Sequence, residues 1–213
     1  MDGVLIDSEP LFMEINKEIF AELGLDFEKF DHSKIVGMSS PNMWSKIKSI
    51  YNLNHDVTNL IEMEKSRVNN VFKSDKITKP MKDVTDLLEI LKSKNYSLSV
   101  ASSSAMKNIQ LVLGKLDLLK YFTFIASGDD VTNSKPAPDI FLKVSEKLNV
   151  DVSDCFVIED STNGVKAANA AGMHSIGFKN NNTNSQNITE ADLIIQNFEN
   201  ENNELVLKFI ESN

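Results

Sequence analysis

Cys155-Phe156-Val157-Ile158-Glu159-Asp160-Ser161-Thr162-Asn163-Gly164 is the stretch that decides the fold. Its first four residues form an apolar run without polar interruption, as expected of a strand buried on both faces. Two carboxylates follow at once, and a helical pattern from Asn163 to Ala171 then stops at Gly172 and feeds Ser175-Ile176-Gly177-Phe178. Working towards the N-terminus, the same alternation recurs. Asp83 is placed to cap a helix carrying Val84, Leu87, Leu88 and Leu91, and Tyr96–Ala101 then makes a short β run ending in Ser102-Ser103-Ser104. A helix from about Ala105 to Leu118 leads to Phe122–Ala126, and one from about Asp139 to Leu148 leads to Cys155. Asp192–Ile195 adds a last short strand before a C-terminal helix. Such alternation predicts an α/β fold, a parallel sheet with helices on both faces. Ligands of these folds bind beyond the carboxyl ends of the strands. Ser102 and the Glu159-Asp160 pair each directly follow an apolar run, so they should share one edge.

The first third of the chain reads differently. Ser8 can cap a helix with Pro10 in its first turn, in which Leu11, Ile15, Ile19 and Leu23 recur at i+4 before Gly24. Further helical patterns lie around Met43–Tyr51 and Val57–Phe72, so residues 9–76 are expected to be helical throughout. Met13, Met38, Met43, Trp44 and Phe72 are expected to pack these helices together. This gives a core from residues 1–8 and 77–213 and a helical insertion over 9–76.

Composition narrows the function classes. Against 22 basic residues stand 31 acidic ones, a formal charge of -9, which repels polyanions and speaks against nucleic acid or an anionic membrane as partner. A small phosphorylated molecule remains compatible, because local charge in a cleft outweighs the total. The single Cys155 precludes an internal disulfide and suits a reducing compartment. With no leader pattern and no apolar run of the ~18–20 residues that cross a bilayer, a cytoplasmic protein is expected. His32, His55 and His174 have no metal-ligand spacing and are read as structural or surface residues.

Three constellations carry chemistry. Adjacent carboxylates at a strand end repel by about 4 kcal/mol at ~4 Å and an effective dielectric near ~20, and a divalent cation relieves this. Oxygen-only ligands point to Mg²⁺, although an acidic first turn that merely caps its helix explains Glu159 and Asp160 equally well. Lys135 sits in Ser134-Lys135-Pro136-Ala137-Pro138-Asp139, where Pro136 favours an extended Lys135 and Pro138 opens the next helix. A loop lysine is usually solvated, but here the ammonium is held on a stiff segment. Ser102 could offer its hydroxyl to an anion or cap a helix, and Ser103 and Ser104 compete for the capping role.

Met1-Asp2-Gly3-Val4-Leu5-Ile6-Asp7 resembles the back part of motif I of the haloacid dehalogenase superfamily, D-x-D-G-V-x-x-D. Ser102 then resembles motif II, Lys135 with Pro136, Pro138 and Phe141 resembles K-P-x-P-x-x-[FY], and Glu159-Asp160 resembles motif IV. Val36-Gly37-Met38-Ser39 resembles the family's cap specificity loop. The resemblance covers nearly the whole chain and implies a Rossmann-like core with a helical cap inserted after motif I. It implies Mg²⁺-dependent hydrolysis of a phosphate monoester, such as a sugar phosphate or phosphoglycolate, through an aspartyl-phosphate intermediate.

By that resemblance Asp2 is general acid and then base, while Ser102, Ser103 and Lys135 hold the phosphoryl group. Gly37 and Ser39 approach the substrate, and Asp2, Glu159 and Asp160 hold the metal. The aspartate that attacks phosphorus in the family stands two positions before the one matching Asp2, and neither it nor its apolar strand is within the 213 residues. The chain as it stands is therefore expected to be inactive. Two other readings stand beside this one: a non-catalytic protein that binds phosphorylated ligands, and a β-phosphoglucomutase-like mutase. The mutase is disfavoured because Phe12 and Ser40 fall where such members carry His and Arg.

Overall fold

The computed structural model describes residues 1–35, 38, 40–180 and 186–213. Two compact units emerge, one of Ser8–Ile77 and one of Met1–Asp7 with Thr78–Asn213.

Ser8–Ile77 contains α1 (Glu9–Glu22), α2 (Ser40–Tyr51) and α3 (Val57–Lys73), with a short 3-10 turn at His32–Lys34. Its core is Ile15, Ile19, Phe20, Phe30, Trp44, Ile47 and Leu60. Trp44 is fully buried, and its indole N–H donates to Glu64 Oε2 at 2.8 Å, which satisfies the one polar atom the ring carries inside. Phe72 is buried as expected, but Met13 and Met38 are exposed and do not pack the helices. Met13 lies two residues, about 200° around the helix, from Ile15 and so points away from the apolar stripe of α1. Met38 lies in the turn that follows the 3-10 segment.

The larger unit contains α4 (Val84–Ser93), β1 (Ser99–Ala101), α5 (Met106–Lys115), β2 (Phe124–Ala126), α6 (Asp139–Leu148), β3 (Phe156–Glu159), α7 (Thr162–Ala170), β4 (His174–Phe178), β5 (Leu193–Ile195) and α8 (Asn200–Ser212). All strand pairs are parallel, in two sheets: β1 with β2, and β3-β4-β5. Val84, Leu87, Leu88 and Leu91 form the buried stripe of α4 and join Val100, Ile176, Phe178 and Ile195 in the main core. A second cluster of Ala126, Ile140, Phe141, Ala167 and Ala168 seats α6 and α7. The alternation read from the sequence therefore gives an α/β fold of parallel strands. β4 and β5 are also tied by side chains: Ser175 N–H donates to Asp192 Oδ2 at 2.7 Å and Asp192 N–H to Ser175 Oγ at 3.2 Å.

The proposed caps occupy their positions without capping. Ser8 precedes α1 and Asp83 precedes α4, yet neither side chain bonds its helix. Ser8 has helical dihedrals, φ −95° and ψ −12°, unlike the extended backbone that aims a cap oxygen at the first turn. Asp83 is left-handed at φ +60°, and its carboxylate pairs with Lys82 at 3.3 Å. No helix in the described residues is long and apolar enough to cross a membrane.

Candidate active site

Beyond the carboxyl ends of β1 and β3 the chain gathers four separate segments. After β3 come Glu159 and Asp160. The helix that follows is capped by Ser161, whose Oγ accepts the Gly164 N–H at 2.9 Å. The two carboxylates are thereby free of capping duty, which removes the bland explanation for their presence. The Ser161 hydroxyl also donates to Glu159 Oε2 at 3.1 Å, so cap and acid share one hydroxyl. Gly164 makes room for this, since a Cβ there would overlap the Glu159 carboxylate.

Lys135 reaches the same point from the loop before α6. Its Nζ pairs with Glu159 Oε1 at 2.5 Å and donates to the Ala101 carbonyl at 3.1 Å, so it bridges the ends of β1 and β3. Both side chains are buried, at 9% and 11% exposure, and the ammonium lies 4.7 Å from the Phe141 ring centroid. This lysine is no solvated surface residue. Desolvation pushes the Glu159 carboxyl up, but the Lys135 charge and hydrogen bonds from Lys135 and Ser161 favour the ionised form, and the net shift is downward.

Asp160 behaves oppositely. Burial first, and then the neighbouring Glu159 carboxylate, push it up to about 7, with Asp2 adding to the rise. Gly3 brings the first segment against it. At Gly3 the backbone is left-handed at φ +70°, and a Cβ would overlap the Asp160 carboxylate, so only glycine fits on both counts.

Asp2 accepts a hydrogen bond from Ser104 Oγ at 2.9 Å through Oδ2, and its Oδ1 is buried without a partner. It is thus Ser104, two residues past Ser102, that touches Asp2. Ser102 is buried, and its Oγ accepts the Ser104 N–H at 3.2 Å, which shapes the turn. None of the three serines caps α5, whose N-cap is Ala105; Asp129 Oδ2 instead accepts the Met106 N–H at 3.0 Å. Ser103 is exposed. Two sequence-neighbouring serines left the role of Ser104 open, and only the turn geometry distinguishes them. Gly37 and Ser39 lie outside the described residues.

The histidines play no part in this cluster. His32 Nε2 is 3.0 Å from the Phe27 carbonyl oxygen, and His174 stacks on Phe156 at 4.8 Å. The Cys155 thiol donates to the Asp151 carbonyl at 3.3 Å, and burial raises its pKa, which suits a packing role. Among the described residues no group of three His, Cys, Asp or Glu side chains is arranged to hold a metal ion.

Comparison with known proteins identifies the family. The haloacid dehalogenase-like hydrolase profile matches residues 1–178. A phosphorylated carbohydrates phosphatase of Thermotoga maritima is 34% identical over 176 residues, covering 83% of this chain and 81% of that protein. A fructose-1-phosphate phosphatase of Escherichia coli K12 is 28% identical over 180 residues, covering 83% and 92%. Among solved structures, a β-phosphoglucomutase from Clostridium difficile superposes with a TM-score of 0.77 at 27% identity, covering 99% of this chain and 92% of that one. A family match over most of the length, joined to acid, lysine and serine groups at the strand ends, makes the chain a member of the haloacid dehalogenase-like hydrolases.

Proposed function

We propose that the protein is a Mg²⁺-dependent phosphomonoester hydrolase of the cytoplasm, acting on a small phosphorylated carbohydrate through an aspartyl-phosphate intermediate. The observation that carries this reading is the convergence of Asp2, Lys135, Glu159 and Asp160 from three distant segments at one strand edge. The phosphatases and the mutase named above support the substrate class.

The donors fit a hard cation. Asp160 is crowded by two other carboxylates, and the orphaned Asp2 Oδ1 is a buried oxygen in need of a partner. Asp160, Glu159 and the Asp2 backbone carbonyl would hold Mg²⁺, which when bound offsets phosphoryl charge and carboxylate repulsion. Lys135 supplies positive charge to the transferring group, and the Ser102–Ser104 turn presents hydroxyl and N–H donors to its oxygens. Asp2, steadied by Ser104, protonates the leaving alkoxide and then takes a proton from the water that hydrolyses the intermediate. In the family the attacking carboxylate stands two positions ahead of the one matching Asp2, a position outside the 213 residues, so the chain as it stands is expected to be inactive.

Phe12 favours hydrolysis over phosphosugar mutation. It stands where the mutases carry a histidine, and its ring packs edge-on against Phe72 with centroids 6.3 Å apart, with no group to shuttle a proton.

The test compares the 213-residue chain with a version preceded by an apolar strand ending in Asp-Met1, on a panel of sugar phosphates with Mg²⁺ or EDTA. Turnover by the extended form with Mg²⁺ alone, abolished by Asp2→Asn, is the expected result. Hydrolysis by the short form would show that another residue attacks phosphorus, and ligand binding without turnover in the extended form would favour a non-catalytic binding protein.

A further inference from the structure

Gly3 must lie against the Asp160 carboxylate with φ at +70°, and no other residue type fits there. A glycine, however, does not hold its own shape. Without a Cβ both of its torsions are soft, so nothing inside the residue keeps it in that one conformation. The same two torsions separate the Gly3 carbonyl from the Asp2 carbonyl, because each peptide unit is planar. Whatever fixes the Gly3 carbonyl therefore narrows the direction of the Asp2 carbonyl.

The flanking residues are tied at other points. The Met1 carbonyl accepts the Leu5 N–H at 2.8 Å, the Leu5 carbonyl accepts the Met81 N–H at 2.7 Å, and the Asp2 carboxylate is bonded by Ser104. These contacts fix the two sides of the turn and leave the glycine carbonyl to another group. That group is Asn180, whose Nδ2 donates to the Gly3 carbonyl at 3.3 Å from 177 residues away in the chain. Both residues are buried, so water is not at hand to replace the bond.

The platform behind Asn180 is firm. Phe178 closes β4, pairs in register with Ile195 and stacks on Phe198 with ring centroids 4.5 Å apart. The Lys179 N–H then donates to the Ile195 carbonyl at 2.8 Å, which carries the β4–β5 ladder one residue further. The Asn180 N–H turns back onto the Phe178 carbonyl at 3.0 Å, a tight three-residue turn that ends the strand. Its carboxamide goes inward, where a polar side chain needs a partner. We propose that Asn180 is a positioning residue: its carboxamide clamps the Gly3 peptide against Asp160 and so sets the direction in which the Asp2 carbonyl meets the cation. Asn180 acts through Gly3 and not on the cation itself. The cation half of this inference rests on the Mg²⁺ site proposed above, whereas the clamp on Gly3 does not.

The test uses the full 213-residue chain. Asn180→Ala removes the donor; Asn180→Val removes it while filling most of the space, which keeps the measurement possible if the alanine cavity unfolds the chain. Ser145→Ala is the control, because Ser145 is also buried and its Oγ donates to a backbone carbonyl, that of Val150 at 2.6 Å, on the way into β3 rather than beyond its carboxyl end. The order parameter of the Gly3 amide, measured in EDTA, should be near about 0.85 in the parent and in Ser145→Ala and under about 0.6 in both Asn180 variants. Calorimetry at about pH 8 should show Mg²⁺ bound about threefold to tenfold more weakly by the Asn180 variants, the change that one lost hydrogen bond of ordinary net strength represents, and equally well by parent and control. A Gly3 amide already mobile in the parent, or still rigid in the Asn180 variants, would overturn the proposal. So would Mg²⁺ affinity that is unchanged in those variants or falls as far in Ser145→Ala, and so would rigidity and affinity kept by Asn180→Val, which would assign the effect to packing. A Gly3 amide loosened in both Asn180 variants of a chain whose parent binds no Mg²⁺ would uphold the clamp and count against the metal reading alone.

Discussion

Replacing Lys135 by Met should invert the way Glu159 responds to pH. Methionine keeps the apolar stem beside Phe141 and removes only the charge, leaving a carboxylate at 11% exposure without its 2.5 Å partner. Breaking a buried ion pair in this way costs about 3–5 kcal/mol if the orphan stays ionised. It need not, because burial is the largest influence on Glu159 and, with Lys135 gone, pushes its pKa above the unfolded value of 4.5. The sign follows from linkage. In the parent, Glu159 is shifted down, so its contribution is present above pH 4.5 and is lost as pH falls through the folded value. In the variant the shift is up, so the protonated form is favoured and a penalty grows as pH rises above 4.5, at about 1.4 kcal/mol per pH unit until the new folded value is passed. Urea denaturation in EDTA at about pH 5 and about pH 8 should thus show a difference of under about 1 kcal/mol at the lower pH and about 3 kcal/mol or more at the higher. A destabilisation independent of pH, or none at either, would refute the pairing as the source of the effect.

Gly3→Ala should cost about 1–2 kcal/mol from the left-handed backbone alone. Its Cβ would also displace Asp160, so a thermal-shift assay should show both a lower midpoint and loss of stabilisation by Mg²⁺. Gly164→Ala is expected to destabilise, although alanine in a helix interior normally gains ~1 kcal/mol over glycine, because its Cβ collides with Glu159; a raised melting temperature would contradict this. With Asp160 holding its proton up to about 7, Mg²⁺ must compete with H⁺. Apparent Mg²⁺ affinity by calorimetry should fall as pH drops from about 8 to about 6, and the drop should vanish in Asp160→Asn.

The alternation between Asp83 and Ile195 was enough to place every strand among the described residues, because apolar runs bounded by turn residues survive any tertiary arrangement. The capping roles were not legible. They depend on whether a backbone is extended or helical at one residue, and Ser8 and Asp83 have the right side chains on the wrong dihedrals. The strand ends brought Ser102 and the acidic pair to one edge and the family resemblance added Lys135, but neither could say that Lys135 grips Glu159 and leaves Asp160 raised. That division is set by distances of a few ångströms between segments 24 residues apart. Nor could three consecutive serines be told apart until the turn showed which hydroxyl meets Asp2.

The hydroxyl shared between the start of α7 and Glu159 couples a backbone amide to the chemistry of the cleft. When Glu159 changes partner, Ser161 Oγ must adjust its own donor, and the Gly164 N–H feels that adjustment directly. A single amide resonance, that of Gly164, can therefore serve as a spectroscopic reporter of occupancy.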